Sequence, residues 1–206
     1  MSEVAIPLTG SDSPVPKLIV FDLDNTIWTP ELYEMYGAPF RRKGGALLDR
    51  SGMPLQLFRD IPEILKEAAT YPRFAESRLA VASRTEHDDW AAEAMRLLHA
   101  FDDVPMNRIF DAELTEVYPS TKTRHFRRLR ENSGVDYHDM LFFDDWSLNT
   151  REVGALGVTS IVCPSGMTRA IWDRGLALFA ARRLAAAGES GGGGGGSGGS
   201  GSASGR

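Results

Sequence analysis

Cysteine is almost absent from this chain: Cys163 is the only one in 206 residues. No internal disulfide can form and no multi-cysteine metal site can be built, a usage that fits a reducing compartment. Long apolar runs are missing too. None approaches the roughly 20 residues that a membrane-spanning helix needs, and the opening MSEVAIPLTGSDSPVP has neither the basic stretch nor the apolar core of a secretory leader. Positive charge is in deficit, with 23 Lys and Arg against 28 Asp and Glu and a formal net charge of -5, which disfavours broad nucleic-acid binding. One basic run, HFRRLR at 125–130, reads as the solvated face of a helix. There is no internal repeat. These absences lead us to expect a cytoplasmic protein with neither a membrane nor a nucleic acid as partner.

What is present suits one soluble domain with a real core, at 42% hydrophobic and 25% charged residues. Residues 1–16 are polar and proline-broken and are expected to be flexible, while 188–206 is nearly pure Gly and Ser, the composition of a flexible tail or linker. That leaves 17–187 as the folded domain. Within it, the runs KLIVF before Asp22, RLAVA before Ser83 and MLFF before Asp144 read as buried parallel strands, with further strands at Arg108–Phe110 and Thr159–Val162. Helix-spaced apolar residues predict helices over 61–71 and 90–101, the second preceded by Thr85-Glu86-His87-Asp88 as a capping box. Three more helices are expected from about Ser120 to the stop at Gly134, from Ser147 to Leu156, and from Thr168 to Ala187. Strands alternating with helices imply right-handed crossovers. The fold class is α/β, a single Rossmann-like, doubly wound parallel sheet with helices on both faces.

In such a sheet ligands bind outside the carboxyl ends of the strands. Asp22-Leu23-Asp24-Asn25-Thr26, Ser83-Arg84, Lys122 and Asp144-Asp145 with Asn149 should therefore converge on one crevice. A carboxylate at the end of a buried strand is costly unless a cation compensates it, and Asp22 can share one with Asp144 or Asp145. Oxygen-only ligands favour Mg²⁺. With charge screened, Asp22 can attack phosphorus, while Asp24 protonates the leaving oxygen and later takes a proton from water. Ser83 and Lys122 would serve the phosphoryl oxygens. Thr26 would brace the first loop through side-chain to backbone bonds, and Asn149 would orient a metal-side carboxylate. Singly, each residue has a plainer use as a turn, a cap or a solvated lysine; it is their ordered set that points to phosphoryl transfer.

That set closely resembles the haloacid dehalogenase superfamily: FDLDNT as its first motif, Ser83 as the second, Lys122 as the third and FFDD as the fourth. More narrowly, VFDLDNTIW, AVASRTE, VYPSTKTRHFRRL, FFDDWSLN and GVTSIVCPSGM are similar to the magnesium-dependent phosphatase-1 family over roughly 16–180. The resemblance implies a Mg²⁺-dependent phosphatase acting through an aspartyl-phosphate. Asp22 would be the nucleophile and Asp24 the acid/base; Asp22, Asp24 (through its carbonyl), Asp144 and Asp145 would serve the metal, and Ser83, Arg84 and Lys122 the phosphate or substrate. Substrates implied by the family are protein phosphotyrosine and phosphorylated sugars or glycated amines, that is, a phosphorylated small molecule or a phosphoprotein.

The segment 29–60 is longer and differently composed than the family pattern after its first motif. Too short for a cap domain, it is expected either to form a small flap presenting an exposed Trp28, Tyr33 and Tyr36 to substrate, or to be a surface loop packing its aromatics inward. Two other functions remain open. Cys163-x5-Arg169 has the spacing of cysteine-dependent phosphatases, although Pro164 removes a backbone donor from the cradle. A non-catalytic phosphate-binding module is the other, which would not need both Asp22 and Asp24.

Overall fold

The computed structural model describes residues 13–191. In chain order it contains β1 (Leu18–Phe21), β2 (Trp28–Thr29), β3 (Arg41–Lys43), β4 (Ala46–Leu48), β5 (Pro54–Leu57), α1 (Ile61–Thr70), β6 (Arg78–Ser83), α2 (Asp88–Leu97), β7 (His99–Phe101), β8 (Val104–Pro105), β9 (Thr115–Val117), α3 (Lys122–Ser133), β10 (Met140–Asp144), α4 (Ser147–Gly154), β11 (Thr159–Val162) and α5 (Arg169–Gly191). Five strands form the central sheet in the order β11-β10-β1-β6-β9, and all four pairings are parallel. Side chains alternate across it. Ile19, Phe21, Val81 and Phe143 face a core completed by Leu65 of α1, Met95 of α2 and Trp172 of α5. Leu18, Val20, Ala82 and Phe142 face a second core with Phe126 and Leu129 of α3 and Val153 of α4. Helices therefore cover both faces, which is why the central strands carry unbroken apolar runs. The chain moves outward from β1 through β6 to β9, then returns to β10 and β11 on the other side, so the order reverses between β1 and β10. A crevice opens at that point.

Several elements differ from expectation. The edge strand is Thr115–Val117, not Arg108–Phe110; residues 106–108 form a 3-10 turn instead. A three-residue edge strand containing Glu116 carries too little apolar signal to stand out. The helix expected over 90–101 is Asp88–Leu97, and the apolar LHAF that follows is β7, paired with β8 across Asp102 and Asp103, both at positive φ. No capping box forms there: the N-cap is His87, with no side-chain cap bond, and Thr85 Oγ1 merely accepts from His87 N at 3.3 Å. At α3 the cap is as the chemistry suggests, with Thr121 Oγ1 accepting from Arg124 N and Gly134 closing the helix at φ 71°. Helix α5 continues four residues past Ala187; residues 1–12 and 192–206 of the two expected flexible ends lie outside the described residues.

The segment 29–60 is more than a plain surface loop. With Trp28 it builds a second, antiparallel sheet, β2-β5-β4-β3, whose Leu47 and Leu55 join the first core. Asp49 is its knot: this buried carboxylate accepts from the backbone N–H groups of Tyr36, Ser51 and Met53 and from the Ser51 hydroxyl. Burial works against its charge, but these hydrogen bonds outweigh it and hold the carboxyl at about 2. Gly37, at φ +88°, lets the ring of Trp90 on α2 lie flat against the chain, where a Cβ would come within 2.2 Å of it. The two readings of the aromatics divide: Tyr33 and Tyr36 are exposed, as on a flap, whereas Trp28 is fully buried, as in an inward-packed loop. An indole is normally interfacial because its N–H needs a partner; here Asp24 supplies one at 2.7 Å, so the ring can enter the core.

Candidate active site

Three strand ends deliver the acids and the hydroxyl. Asp22 follows β1, Ser83 ends β6 and Asp144 ends β10, at the reversal of strand order. Lys122, the first residue of α3, reaches under the two acids, fully buried. Its ammonium lies 2.6 Å from Asp22 Oδ1 and 2.8 Å from Asp144 Oδ2 and also donates to the Ala82 carbonyl. Those are its three donors. Lys122 thus gives its three hydrogens to the protein and fixes Asp22 and Asp144 beside one another.

Burial opposes charge on Lys122, but Asp22 and Asp144 outweigh it and hold the ammonium above its ordinary range. One cation cannot balance two buried carboxylates. Burial, with Asp144 beside it, pushes the Asp22 carboxyl up in spite of Lys122. Asp145, half-buried, is raised to about 6 by burial and by Asp144. Asp22, Asp144 and Asp145 can each offer an oxygen within 4.8 Å of the others. Three oxygen donors with surplus negative charge are the donor set of a hard divalent cation, so these residues fit Mg²⁺.

Asp144 is pinned. Its Oδ1 accepts from Trp146 N at 2.8 Å and from Asn149 Nδ2 at 2.9 Å. Asn149 then turns its own Oδ1 to Arg84 Nη1 at 3.3 Å, joining the acid floor to the rim. Arg84 also lies over the Trp146 ring, 5.3 Å from its centroid. Ser83 Oγ accepts weakly from Thr85 N at 3.4 Å, which leaves its proton available to donate.

Asp24 is brought to the same cleft, but its carboxylate stands outside the metal-ligand group. Oδ1 accepts from Trp28 Nε1 at 2.7 Å and from Leu32 N at 3.2 Å. Burial raises its pKa, against those hydrogen bonds. The loop between the two acids is tight: Asn25 sits at φ 54°, with its amide on Glu31 Oε1 at 2.7 Å. Thr26 differs from expectation. Its buried hydroxyl has no partner among the described residues, and it is its backbone that braces, through Thr26 N to Leu23 O and Met167 N to Thr26 O.

Asp22, Asp24, Ser83, Arg84, Lys122, Asp145 and Asn149 line one open cleft of about 590 Å³, with Asp144 directly behind. Tyr33, expected on the flap, also lines the wall, with residues that carried no expected site role: Glu31 beside it on the connection from β2 to β3, Thr85, Glu86 and His87 before α2, and Trp146. Trp146 and Glu86-His87 could have been found as immediate neighbours of the FFDD and Ser-Arg motifs; Glu31 carried no such signal. Cys163 and Arg169 are not in the cleft. Burial pushes the Cys163 thiol up to about 12, and the Arg169 guanidinium is engaged by Asp173 and Glu67. Fully buried and outside the cleft, Cys163 does not present the exposed, lowered-pKa thiolate that a cysteine-dependent phosphatase uses. Among the described residues no helix is long and apolar enough to cross a membrane.

Residues 14–182 match the acid phosphatase family. Human magnesium-dependent phosphatase 1 is 35% identical over 167 residues, covering 81% of this chain and 88% of the relative. A HAD-like hydrolase superfamily protein of Schizosaccharomyces pombe is 36% identical over 148 residues, covering 70% and 83%. Among solved structures, a haloacid dehalogenase-like family hydrolase from Xanthomonas campestris superposes with a TM-score of 0.56 at 11% identity, over 87% of this chain and 98% of that one. A phosphatase-domain protein from Bacteroides fragilis, solved with Mg, gives 0.52 at 17% identity, over 81% and 40%. These two share the fold alone.

Proposed function

The chain belongs to the acid phosphatase family, as a magnesium-dependent phosphatase of the haloacid dehalogenase superfamily, and on that premise we propose that it hydrolyses phosphomonoesters through an aspartyl-phosphate on Asp22. The observation that carries this reading is the Asp22–Lys122–Asp144 cluster at the strand-order reversal, which fixes one carboxylate on the floor of a cleft. Asp22, the Asp24 carbonyl and the Asp144-Asp145 pair would hold Mg²⁺, which when bound supplies the positive charge that lowers repulsion between a carboxylate and a phosphoryl dianion. A carboxylate oxygen of Asp22 forms a bond to phosphorus as the ester P–O bond breaks, and Asp24 gives its proton to the departing oxygen. Asp24, now a carboxylate, takes a proton from water. The water oxygen bonds phosphorus, the Asp22–phosphorus bond breaks, and inorganic phosphate leaves. Ser83 and Arg84 donate to the phosphoryl oxygens, and Lys122 holds Asp22 in line.

For substrate, we read 29–60 as a flap beside an open site. The exposed rings of Tyr33 and Trp146 on the cleft wall favour an aryl phosphate such as phosphotyrosine on a protein. The carboxylates of Glu31 and Glu86 on the same wall favour, as a second reading, an amine-bearing sugar phosphate. A cytoplasmic site of action completes the proposal. The test is a phosphatase screen over phosphotyrosine peptides, sugar phosphates and glycated-amine phosphates, with and without Mg²⁺. Turnover should vanish in EDTA, return with Mg²⁺ and be fastest on the peptides; equal activity in EDTA would overturn the reading, and preference for the amine would replace the substrate.

A further inference from the structure

Trp28 is the largest fully buried side chain next to the catalytic loop, and its indole has one hydrogen to give. It gives that hydrogen to Asp24 Oδ1, at 2.7 Å. The Leu32 backbone N–H points at the same oxygen from 3.2 Å. Trp28 opens β2 of the small antiparallel sheet and pairs with Leu57 of β5, and Leu32 begins the 3-10 turn that follows β2. The backbone locks this arrangement, with Asn25 N donating to Trp28 O at 2.8 Å and Trp28 N to Leu23 O at 3.3 Å. No described residue hydrogen-bonds Asp24 Oδ2, and Asp24 lines the cleft.

An oxygen already facing two N–H groups cannot carry a proton of its own without setting hydrogen against hydrogen. When Asp24 is a carboxylic acid, its proton must therefore sit on Oδ2. We propose that Trp28, with Leu32 N–H, is the positioning residue that assigns the acid/base proton of Asp24 to Oδ2, so that the flap sheet sets the geometry of leaving-group protonation. This rests on the reading of Asp24 as the general acid. Trp28 touches no substrate and acts only through Asp24. Without the indole N–H the carboxyl can rotate, the proton distributes over both oxygens, and protonation of the departing oxygen loses its alignment.

The expected signature is dependence on the leaving group, because an ester whose alcohol leaves easily needs no proton and a poor one does. The experiment compares wild type, Trp28→Phe and Asp24→Asn on dinitrophenyl, nitrophenyl and phenyl phosphate with Mg²⁺. Should Trp28→Phe fail to fold, benzothienylalanine incorporated at position 28 replaces the N–H by sulfur in a ring of the same shape. Removal of the donor should lower kcat/KM, which reads the steps up to leaving-group departure, by about tenfold on phenyl phosphate and by less than about twofold on dinitrophenyl phosphate, steepening the dependence in the direction of Asp24→Asn. An equal fall on all three esters for both position-28 variants, with Asp24→Asn still selective for the leaving group, would overturn the role of Trp28 alone. If Asp24→Asn itself shows no leaving-group dependence, the general-acid reading fails, and the proposal with it.

Discussion

The floor and the rim of the cleft are built on opposite terms. On the floor, Asp22, Lys122, Asp144 and Asn149 are at most 7% exposed, and Asp144 alone engages Lys122, Asn149 and the Trp146 backbone. On the rim, Tyr33 and Trp146 are 67% and 49% exposed, and Arg84 is held by one long hydrogen bond and a ring. The contrast teaches where each part of the function resides. On the proposed reading, a floor fixed by buried charge would carry the chemistry and lose activity, stability or both when it varies; a rim that is loosely held would choose the substrate and could be changed at little cost in stability.

Breaking the floor gives the largest effects. Asp22→Asn should lower kcat by at least about 10⁴-fold while the protein stays folded, since it removes the nucleophile and one unit of a surplus negative charge. Steady-state kinetics beside a thermal melt would show both; a folded variant with near-normal turnover would exclude Asp22. Lys122→Met should destabilise by about 3–5 kcal/mol, because two buried carboxylates lose their only ammonium. Adding Asp144→Asn to that variant should recover much of the denaturant midpoint and none of the activity. If the double variant is no more stable than the single one, charge imbalance is not what Lys122 relieves.

His125, next in line on α3, sharpens the account of burial. Its Nε2 lies 3.1 Å from the Tyr118 carbonyl, and burial, then Lys122, lowers its pKa from 6.5 to about 4. A histidine held neutral in the fold stabilises fully above its unfolded pKa, and that contribution is lost as pH falls through 6.5 toward 4. Discounted for partial solvation, the loss is roughly 2 kcal/mol. Urea unfolding at a series of pH values should therefore show a shallower decline for His125→Gln than for wild type between those limits, and parallel curves would refute it.

The smallest expected effect falls on the rim. Tyr33→Ala should reduce kcat/KM for a phosphotyrosine peptide by about tenfold, roughly 1.4 kcal/mol, with less change on a minimal phosphate ester and an unaltered melting temperature. A loss of stability, or an equal fall on both substrates, would move Tyr33 from the rim to the core, where Trp28 already lies.

The same contrast explains what was legible in the sequence. The central strands are covered on both faces, so LIVF and MLFF announce themselves as unbroken apolar runs, and the polar residues at their ends are the floor. The rim arises from short pieces with no such signature. Strands of two to four residues in 28–57 find their register through Asp49 and a Trp90–Gly37 contact, and long-range contacts of that kind leave no period along the chain. Trp28 can be read along the chain either as exposed or as packed inward, because its burial depends on a hydrogen bond to Asp24 that composition cannot reveal. Thr26 shows the converse, a motif residue whose backbone does what its hydroxyl was expected to do.

Direct observation of the phosphorylated enzyme tests the floor most sharply. Asp24→Asn, mixed with dinitrophenyl phosphate and Mg²⁺ and quenched in acid within the first turnover, should accumulate a phosphoryl group on the peptide containing Asp22, more than wild type does, because hydrolysis lacks its base. Rapid-quench peptide mass spectrometry reads this out. Phosphorylation at Asp22 is the result the account predicts; continued turnover with no phosphoryl group on that peptide, or with one at Cys163, would contradict it.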